Sequence, residues 1–221
     1  MATTQRDMVR ALLEEYGRTY ARDAGITLKD APQPLYQLLV LATLLSARIR
    51  AGVAVAAARE LFKAGMRDPS RMAEATWQQR VDALGRGGYR RYDERTATQL
   101  GAGAELMRER YRGDLRRLHQ RTHGDVAETR RALLGFPGLG PTGADIFLRE
   151  VQSVWPEVAP SLDDKTLEGA RRLGLPDSPA ALLRLAGDTD PAVLAAALVR
   201  VSLDKRAAER IQEKAREHAP A

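Results

Sequence analysis

The chain has 221 residues, of which 44% are hydrophobic and 29% charged, a balance typical of a folded globular protein. It has no cysteine, which excludes disulfides, thiolate zinc sites and cysteine-ligated iron–sulfur clusters. The net charge of +6 favours a polyanionic partner, either nucleic acid or an anionic membrane surface. An arginine-rich solvated surface without such a partner is the alternative explanation of the same charge.

No segment predicts export or membrane insertion. The longest apolar run, Leu38–Leu45, is interrupted by Thr43 and is too short to cross a bilayer. The first seven residues lack the apolar core of a signal peptide. We therefore expect a cytoplasmic, nucleoid-associated protein that acts as a monomer and does not contact a membrane.

Apolar residues recur at helical spacing along the whole chain. Met8–Arg22 carries such a stripe, and Leu35–Ala47 is apolar on nearly every face, which is typical of a helix buried at the centre of a domain. Asp68 and Thr76 are predicted to start short helices. Further helices are predicted over Val53–Ala64, Arg95–Arg112, Val126–Leu134, Thr142–Val154, Asp164–Leu173, Ala192–Leu203 and Arg206–His218.

No run of residues alternates as a strand would, so the sequence predicts an all-α fold. We expect two lobes. Residues 30–135 or thereabouts would form a central helical lobe, and residues 1–29 with 136–221 would form the second lobe. Basic residues between Arg108 and Arg121 are interspersed with acids, which favours a solvated helix face.

The sharpest local motif is a glycine-rich turn between two predicted helices, at Phe136–Gly143. Gly138 and Gly140 flank one apolar residue, Leu139, which would fill the groove between the two helices. Glycines let the backbone turn tightly and approach a ligand, and proline at 141 suits a first helical turn. Amide groups at the turn and at the start of the new helix would then form an anion site for phosphate.

This motif has two other interpretations. Gly138 and Gly140, with Gly143 three positions further on, also fit a dinucleotide-binding fingerprint, but that fingerprint requires a preceding strand. The preceding segment, Ala127–Leu134, is charged and helical in pattern. A glycine-rich turn without any ligand is the second alternative.

At this point the sequence resembles the helix–hairpin–helix DNA glycosylases related to endonuclease III, over roughly residues 35–175. Leu39–Arg48 resembles a buried helix of that family that ends in Leu-Leu-Ser-Ala, and Phe136–Gly140 resembles its hairpin. Leu162–Leu167 falls where the family keeps an essential aspartate. The resemblance implies the two-lobed endonuclease III-like fold with a helix–hairpin–helix motif, and duplex DNA as partner.

Two aspartates, Asp163 and Asp164, compete for the essential position. In the family the aspartate opens a helix and has apolar residues three and six positions on. Asp164 has Leu167 and Ala170 there, so this spacing favours Asp164, with Asp163 as a helix cap. An ionised carboxylate would stabilise positive charge on the deoxyribose as the base–sugar bond breaks. Ordinary capping by both residues is the alternative without catalysis.

The position of the family's lyase lysine, two residues after the second hairpin glycine, is occupied by Thr142. A Schiff base needs an amine, which threonine lacks. Lys165 is the one lysine near the predicted site, and its place beside Asp164 on a helix directs it elsewhere, toward phosphate or solvent. A role for Lys165 as an alternative amine stays open.

Further contacts with DNA are expected from two segments. Arg48 stands where the family places the residue that enters the vacated base stack, although a salt-bridged surface arginine is the alternative. Tyr89 and Tyr92 resemble residues beside the base pocket and would stack on a base or pack in the core. Arg90 and Arg91 would contact phosphates.

The resemblance implies a monofunctional DNA glycosylase that excises a damaged or mismatched base by hydrolysis, with no cofactor and no metal. Two alternatives remain. One is a DNA-binding protein of the same fold without catalysis, and the other is an AP lyase or endonuclease that uses Lys165. The residues expected to bind DNA are Gly138, Leu139, Gly140, Thr142, Gly143, Arg48, Arg90, Arg91 and Lys165.

Overall fold

The structure, a computed structural model, describes residues 4–217, apart from the side chain of Lys205. Every regular element in this range is helical, so the predicted all-α fold class is confirmed. The chain divides into two compact units. The smaller unit comprises residues 4–19 and 159–217 of the described range, and the larger unit comprises residues 20–158. His218, the predicted end of the last helix, lies outside the described residues.

The helices follow one another with short connections, and one 3₁₀ turn lies at Pro156–Val158. In chain order they are α1 (Gln5–Tyr16), α2 (Tyr20–Asp23), α3 (Pro32–Leu45), α4 (Ala51–Lys63), α5 (Pro69–Glu74), α6 (Trp77–Arg86), α7 (Asp93–Tyr111), α8 (Arg116–Arg121), α9 (Val126–Leu133), α10 (Pro141–Val151), α11 (Asp164–Arg172), α12 (Pro179–Ala186), α13 (Pro191–Leu203) and α14 (Lys205–Glu217).

The smaller unit is built around α13, whose alanines, leucines and valines are buried on nearly every face. Helices α1, α11 and α14 pack against it, and α12 packs against α1. Helix α11 comes unusually close, because a Cβ atom at Gly169 would lie 2.0 Å from the carbonyl oxygen of Leu198. The absence of a side chain at Gly169 therefore sets the distance between α11 and the centre of this unit.

The predicted helix Met8–Arg22 is wrong in one respect, because the structure breaks it into α1 and α2. Helix α1 ends at Gly17, where an added Cβ would lie 2.1 Å from the carbonyl oxygen of Leu13. Helix α2 then starts at Tyr20, whose amide and that of Ala21 donate to the buried carboxylate of Glu150 at 3.1 and 2.8 Å. A negative charge at a helix N-terminus is favourable, so Glu150 stabilises this new start.

The larger unit has α3 at its centre, as its sequence predicted. Every residue from Leu35 to Leu44 is buried except Gln37. Helices α4 and α10 pack against α3, while α6 packs against α4 and α7. Helix α3 ends at Leu45, and the segment that follows it, Ser46–Arg48, lies at the surface beside the start of α10.

Two arginines are buried in this unit, Arg80 on α6 and Arg149 on α10. Arg80 on α6 donates to the carbonyl oxygens of Met72 and Ala75, at 2.9 and 2.7 Å, and thereby satisfies the end of α5. Burial lowers the pKa of Arg80. Its guanidinium lies over Gly101 of α7, where a Cβ would be 2.7 Å from Nη2. These contacts hold α5, α6 and α7 together.

Two helices were not predicted from the sequence. Helix α8 is short and polar, and Leu118 is its one buried residue, so it carries no apolar stripe. Helix α12 begins at Pro179, in a segment for which the sequence predicted no helix. Proline in the first turn is compatible with a helix, and Leu182 is buried on its inner face. Among residues 4–217, no helix is long and apolar enough to cross a membrane.

We expect Gly169→Ala to destabilise the smaller unit by about 1–3 kcal/mol or more, because the methyl group cannot fit against the Leu198 carbonyl without moving α11. The matched control is Gly103→Ala on α7, where an added Cβ meets nothing within 4 Å. That change should stabilise its helix by about 0.5–1 kcal/mol. Urea unfolding followed by circular dichroism measures both. Equal midpoints for the two variants would contradict the close packing of α11 on α13.

Candidate nucleic-acid interface

A helix–hairpin–helix is formed by α9, the turn at residues 134–140, and α10. Helix α9 ends at Leu133, one residue from its predicted end, and α10 begins at Pro141 with Gly140 as its N-cap. Gly138 has a φ of +82°, a left-handed conformation that side chains rarely adopt. A Cβ at that position would also lie 2.7 Å from Oε1 of Gln99. Both reasons call for glycine at 138.

Leu139 is the apolar residue at the tip of this turn, and it is 2% exposed. It packs against Gly143 on α10, where an added Cβ would lie 2.7 Å from Cδ1 of Leu139 and 3.2 Å from Cβ of Ser46. The turn therefore folds back onto α10 and onto the segment that follows α3. Gly143, predicted to contact DNA, is buried and serves this packing.

Gly140 has no comparable internal reason to be glycine. Its φ of −79° and ψ of −175° are open to any residue, and an added Cβ would meet nothing within 4 Å. It is exposed, like Thr142. Within the described chain nothing accepts a hydrogen bond from the amide of either residue, and α10 has no side-chain cap. The exposed N-terminus of α10 is thus a surface where backbone amides are available to an anion.

The two helices of the motif are also joined by an ion pair. Nε of Arg130 on α9 donates to Oδ1 of Asp145 on α10 at 2.7 Å, and Nη2 donates to Oδ2 at 3.3 Å. The hydrogen bond to Asp145 raises the pKa of Arg130. Both side chains are about a third exposed, so the pair fixes geometry more than it adds stability.

A concave depression of about 590 Å³, which we call the hairpin pocket, adjoins the turn. Three segments of the larger unit line it: the end of α3 with Ser46–Arg48, the start of α7 with Tyr89 and Tyr92, and the hairpin from Leu134 to Thr142. The structure thus brings together Arg48, Tyr89, Tyr92, Gly138, Leu139, Gly140 and Thr142, which lie far apart in the sequence.

The side chains in this pocket differ in accessibility. Arg48 is exposed and forms no ion pair among the described residues, so it is not the salt-bridged surface arginine of the alternative interpretation. Tyr89 is 1% exposed, its hydroxyl lies 3.4 Å from Oγ1 of Thr96, and burial raises its pKa. Tyr89 therefore packs in the core, and Tyr92, which is partly exposed, is the tyrosine with an accessible ring.

Several residues that line the pocket were not among the predicted site residues, and Arg95 and Gln99 are the long polar ones. Arg95 and Gln99 lie on α7 and line the hairpin pocket, and Gln99 covers Gly138. Together with Tyr92 they follow one another at spacings of three and four residues, so they share a helix face. The sequence contains that spacing but does not indicate which face of α7 is turned toward the hairpin.

The structure does not bring Arg90 and Arg91 into this pocket. Arg90 lies at a separate depression that is also lined by Asp82 and Asp93. These two carboxylates make that depression less attractive to an anion. Arg91 is positioned over the ring of Tyr92, with its guanidinium carbon 5.2 Å from the ring centroid. Arg91 therefore contacts a residue of the pocket, Tyr92, but does not line the pocket itself.

The predicted catalytic aspartates belong to the smaller unit. Asp163 is the N-cap of α11, and its Oδ1 accepts from the backbone amide and the hydroxyl of Thr166, at 3.1 and 2.8 Å. Asp164 occupies the first turn of α11 and is exposed. Nζ of Lys165 lies 2.6 Å from Oε2 of Glu168, a hydrogen bond that lowers the pKa of Glu168.

The face of α11 that packs in the core differs from the one used to choose Asp164. Thr166, Gly169 and Ala170 are buried, whereas Leu167 is partly exposed. Thr166 and Gly169 stand three and six positions after Asp163. The spacing of buried residues therefore fits Asp163 at least as well as Asp164, because a threonine and a glycine form part of the packed face.

No protein-family model matches the chain, and no curated protein matches its sequence. Among solved structures, the chain is similar to one described as a trapped endonuclease III–DNA covalent intermediate, an estranged-adenine complex. The identity is 17%, the TM-score is 0.48, and the match covers 89% of this chain and 85% of that one. Among residues 4–217, no group of histidine, aspartate or glutamate side chains is arranged to hold a metal ion.

We expect Gly140→Ala to leave the fold intact and to weaken binding of duplex DNA about tenfold or more. The added methyl group is accommodated internally, but it stands where a phosphate would approach the amides of α10. Fluorescence anisotropy with a labelled duplex measures the affinity, and thermal unfolding measures the fold.

The contrasting variant is Gly143→Ala, whose methyl group would collide with Leu139. It should lower the melting temperature as well as the affinity, since the hairpin itself is displaced. If Gly140→Ala bound duplex DNA as tightly as the unmodified chain, glycine at 140 would have no role in contact with phosphate.

Proposed function

We propose that the larger unit binds duplex DNA through its helix–hairpin–helix and hairpin pocket, and that the chain excises a damaged or mismatched base by hydrolysis. The observation that carries the proposal is the convergence of three segments in the hairpin pocket. These segments contribute the exposed amides at Gly140 and Thr142, the unpaired Arg48 and the accessible ring of Tyr92. The net charge of +6 supports a polyanionic partner.

The hairpin supplies contacts that do not depend on sequence. Backbone amides at a helix N-terminus carry partial positive charge and suit a phosphate oxygen. Since Leu139 and the Arg130–Asp145 pair hold the turn against α10, these amides are fixed before DNA arrives. A preorganised donor loses little entropy on binding.

Arg48 and Tyr92 would act on the bases. Enzymes that cut the base–sugar bond must take the nucleotide out of the stack, which leaves a gap in the duplex. The planar, exposed guanidinium of Arg48 is suited to fill that gap. Tyr92 offers a ring on which a base can stack.

For the chemical step we propose Asp163 as the carboxylate, with Asp164 as the second candidate. Two hydrogen bonds from Thr166 fix the side chain of Asp163, whereas Asp164 is exposed and accepts no such hydrogen bond from the described residues. A positioned carboxylate stabilises developing charge on the sugar better than a mobile one. Water would add to the sugar carbon as its bond to the base breaks.

We propose hydrolysis without a lyase step. Thr142 has no amine, and Nζ of Lys165 is engaged in a hydrogen bond with Oε2 of Glu168 at 2.6 Å. Incubation with an abasic duplex and borohydride should therefore give no covalent adduct. An adduct that disappears in Lys165→Gln would overturn this part of the proposal and identify the lyase.

The decisive experiment is an excision assay over duplexes that carry alkylated, deaminated, oxidised, mismatched or abasic positions. We expect release of a free base from at least one of them. If no duplex releases a base while duplex DNA is bound, the protein is a DNA-binding protein without catalysis. If duplex DNA is not bound at all, the whole proposal fails.

Asn variants of the two aspartates assign the carboxylate. Asn retains the oxygen that caps α11, so Asp163→Asn should keep the fold and the DNA affinity while excision falls by about a hundredfold or more. Asp164→Asn, with the same charge change one residue away, should lose much less. Single-turnover rates of base release, measured with a duplex that the unmodified chain processes, compare the two variants. The reverse order of the two rates would assign catalysis to Asp164.

A further inference from the structure

The arginines between Arg108 and Arg121 fall into two structural classes. Nη1 of Arg108 lies 3.0 Å from Oε2 of Glu105, and Nη2 of Arg116 lies 2.7 Å from Oδ2 of Asp114. These two arginines are neutralised by acids of their own segment. The hydrogen bond from Arg116 lowers the pKa of Asp114, so that carboxylate stays ionised as a partner.

The other arginines of the segment form no ion pair or hydrogen bond with an acid in the described part of the chain, although the charge of Arg117 helps to lower the pKa of Asp114. Arg110, Arg112, Arg117 and Arg121 are exposed and line one open depression of about 520 Å³ with Gln120 and His123. No acidic side chain lines it. Of the nearby acids, Glu105 pairs with Arg108 and Asp114 pairs with Arg116. The four arginines of the depression are exposed without an ion pair among the described residues, and the solvated helix face stays a prediction for this segment.

The backbone supports the same grouping. Arg112 ends α7 with a φ of +52°, and His123 follows α8 with a φ of +49°. Non-glycine residues adopt this left-handed conformation infrequently. In each case the next residue, Gly113 or Gly124, is also left-handed. Two successive helices thus end in the same way and bring a basic residue to the same depression.

This arginine cluster lies close to the hairpin. The guanidinium carbon of Arg121 is 5.7 Å from the ring centroid of Tyr111, and that ring stacks on Phe136 of the hairpin with a centroid distance of 5.8 Å. A single ring therefore separates Arg121 from the hairpin turn. Successive phosphates of one strand advance along the duplex axis by about 3.4 Å, so a strand held at the hairpin passes the cluster within a few nucleotides.

We propose that Arg110, Arg112, Arg117 and Arg121 form a second phosphate-binding surface, which extends the grip of the hairpin along one strand of duplex DNA. Guanidinium groups bind phosphate oxygens in pairs of hydrogen bonds, and these four are unoccupied by acids. The depression is lined by no apolar side chain that a folded protein partner would bury. This inference rests on the proposed binding of duplex DNA.

The test compares two double variants with the same loss of charge. Arg112→Gln with Arg117→Gln removes two cluster arginines, and Arg108→Gln with Arg116→Gln removes the two acid-paired ones. The affinity for a labelled duplex is measured between 50 and 200 mM salt, roughly the range in which phosphate contacts are resolved. We expect the cluster variant to bind more weakly and its salt-dependence slope to shrink by about two, while the control slope is unchanged.

Arginines near the C-terminal ends of α7 and α8 also favour the helix dipoles, so thermal unfolding of both variants is recorded to separate stability from binding. Equal slopes for the two variants, with tight binding by the unmodified chain and weak binding by Gly140→Ala, would overturn the second surface but leave the hairpin function standing. Failure of the unmodified chain to bind duplex DNA would overturn both. Loss of binding to vesicles of anionic lipid, with an unchanged DNA slope, would reassign the cluster to a membrane.

Discussion

The position of the hairpin in the larger unit depends on one packing contact, that of Leu139 against Gly143 and Ser46. Because this leucine is buried, the turn before α10 cannot swing outward, and the amides at the start of α10 face the surface in a fixed direction. The same contact ties the hairpin to the segment after α3, which places Arg48 beside it. The amides that we propose to bind phosphate and the arginine that we propose to contact bases are thus positioned by a single apolar side chain and the glycine opposite it.

The glycines of this hairpin occupy their positions for two different reasons. At Gly138 and Gly143 the reason lies inside the protein, in a left-handed backbone and in the space taken by Leu139. At Gly140 the structure supplies no internal reason. The proposed contact with phosphate would give Gly140 an external reason. The motif then divides into glycines that the fold requires and one that the proposed binding requires.

Much of this architecture could be predicted from sequence where local chemistry decides. The buried α3, the start of α10 at Pro141 and the capping by Asp163 follow from apolar composition, proline geometry and an N-cap aspartate. Features set by tertiary packing could not be predicted. Arg95 and Gln99 enter the pocket because of the way α7 is rotated, and the buried face of α11 includes a threonine and a glycine that no hydrophobic pattern selects.

The division of the chain has a consequence for the order of folding. The smaller unit is made from the two ends of the chain, and α1 packs on α12, α13 and α14. During synthesis, α1 leaves the ribosome before its partners α12, α13 and α14. All of residues 20–158 emerge in the meantime, so the unit that carries the hairpin can complete its core first. The smaller unit, which carries the aspartates of α11, is therefore completed after the unit that carries the hairpin.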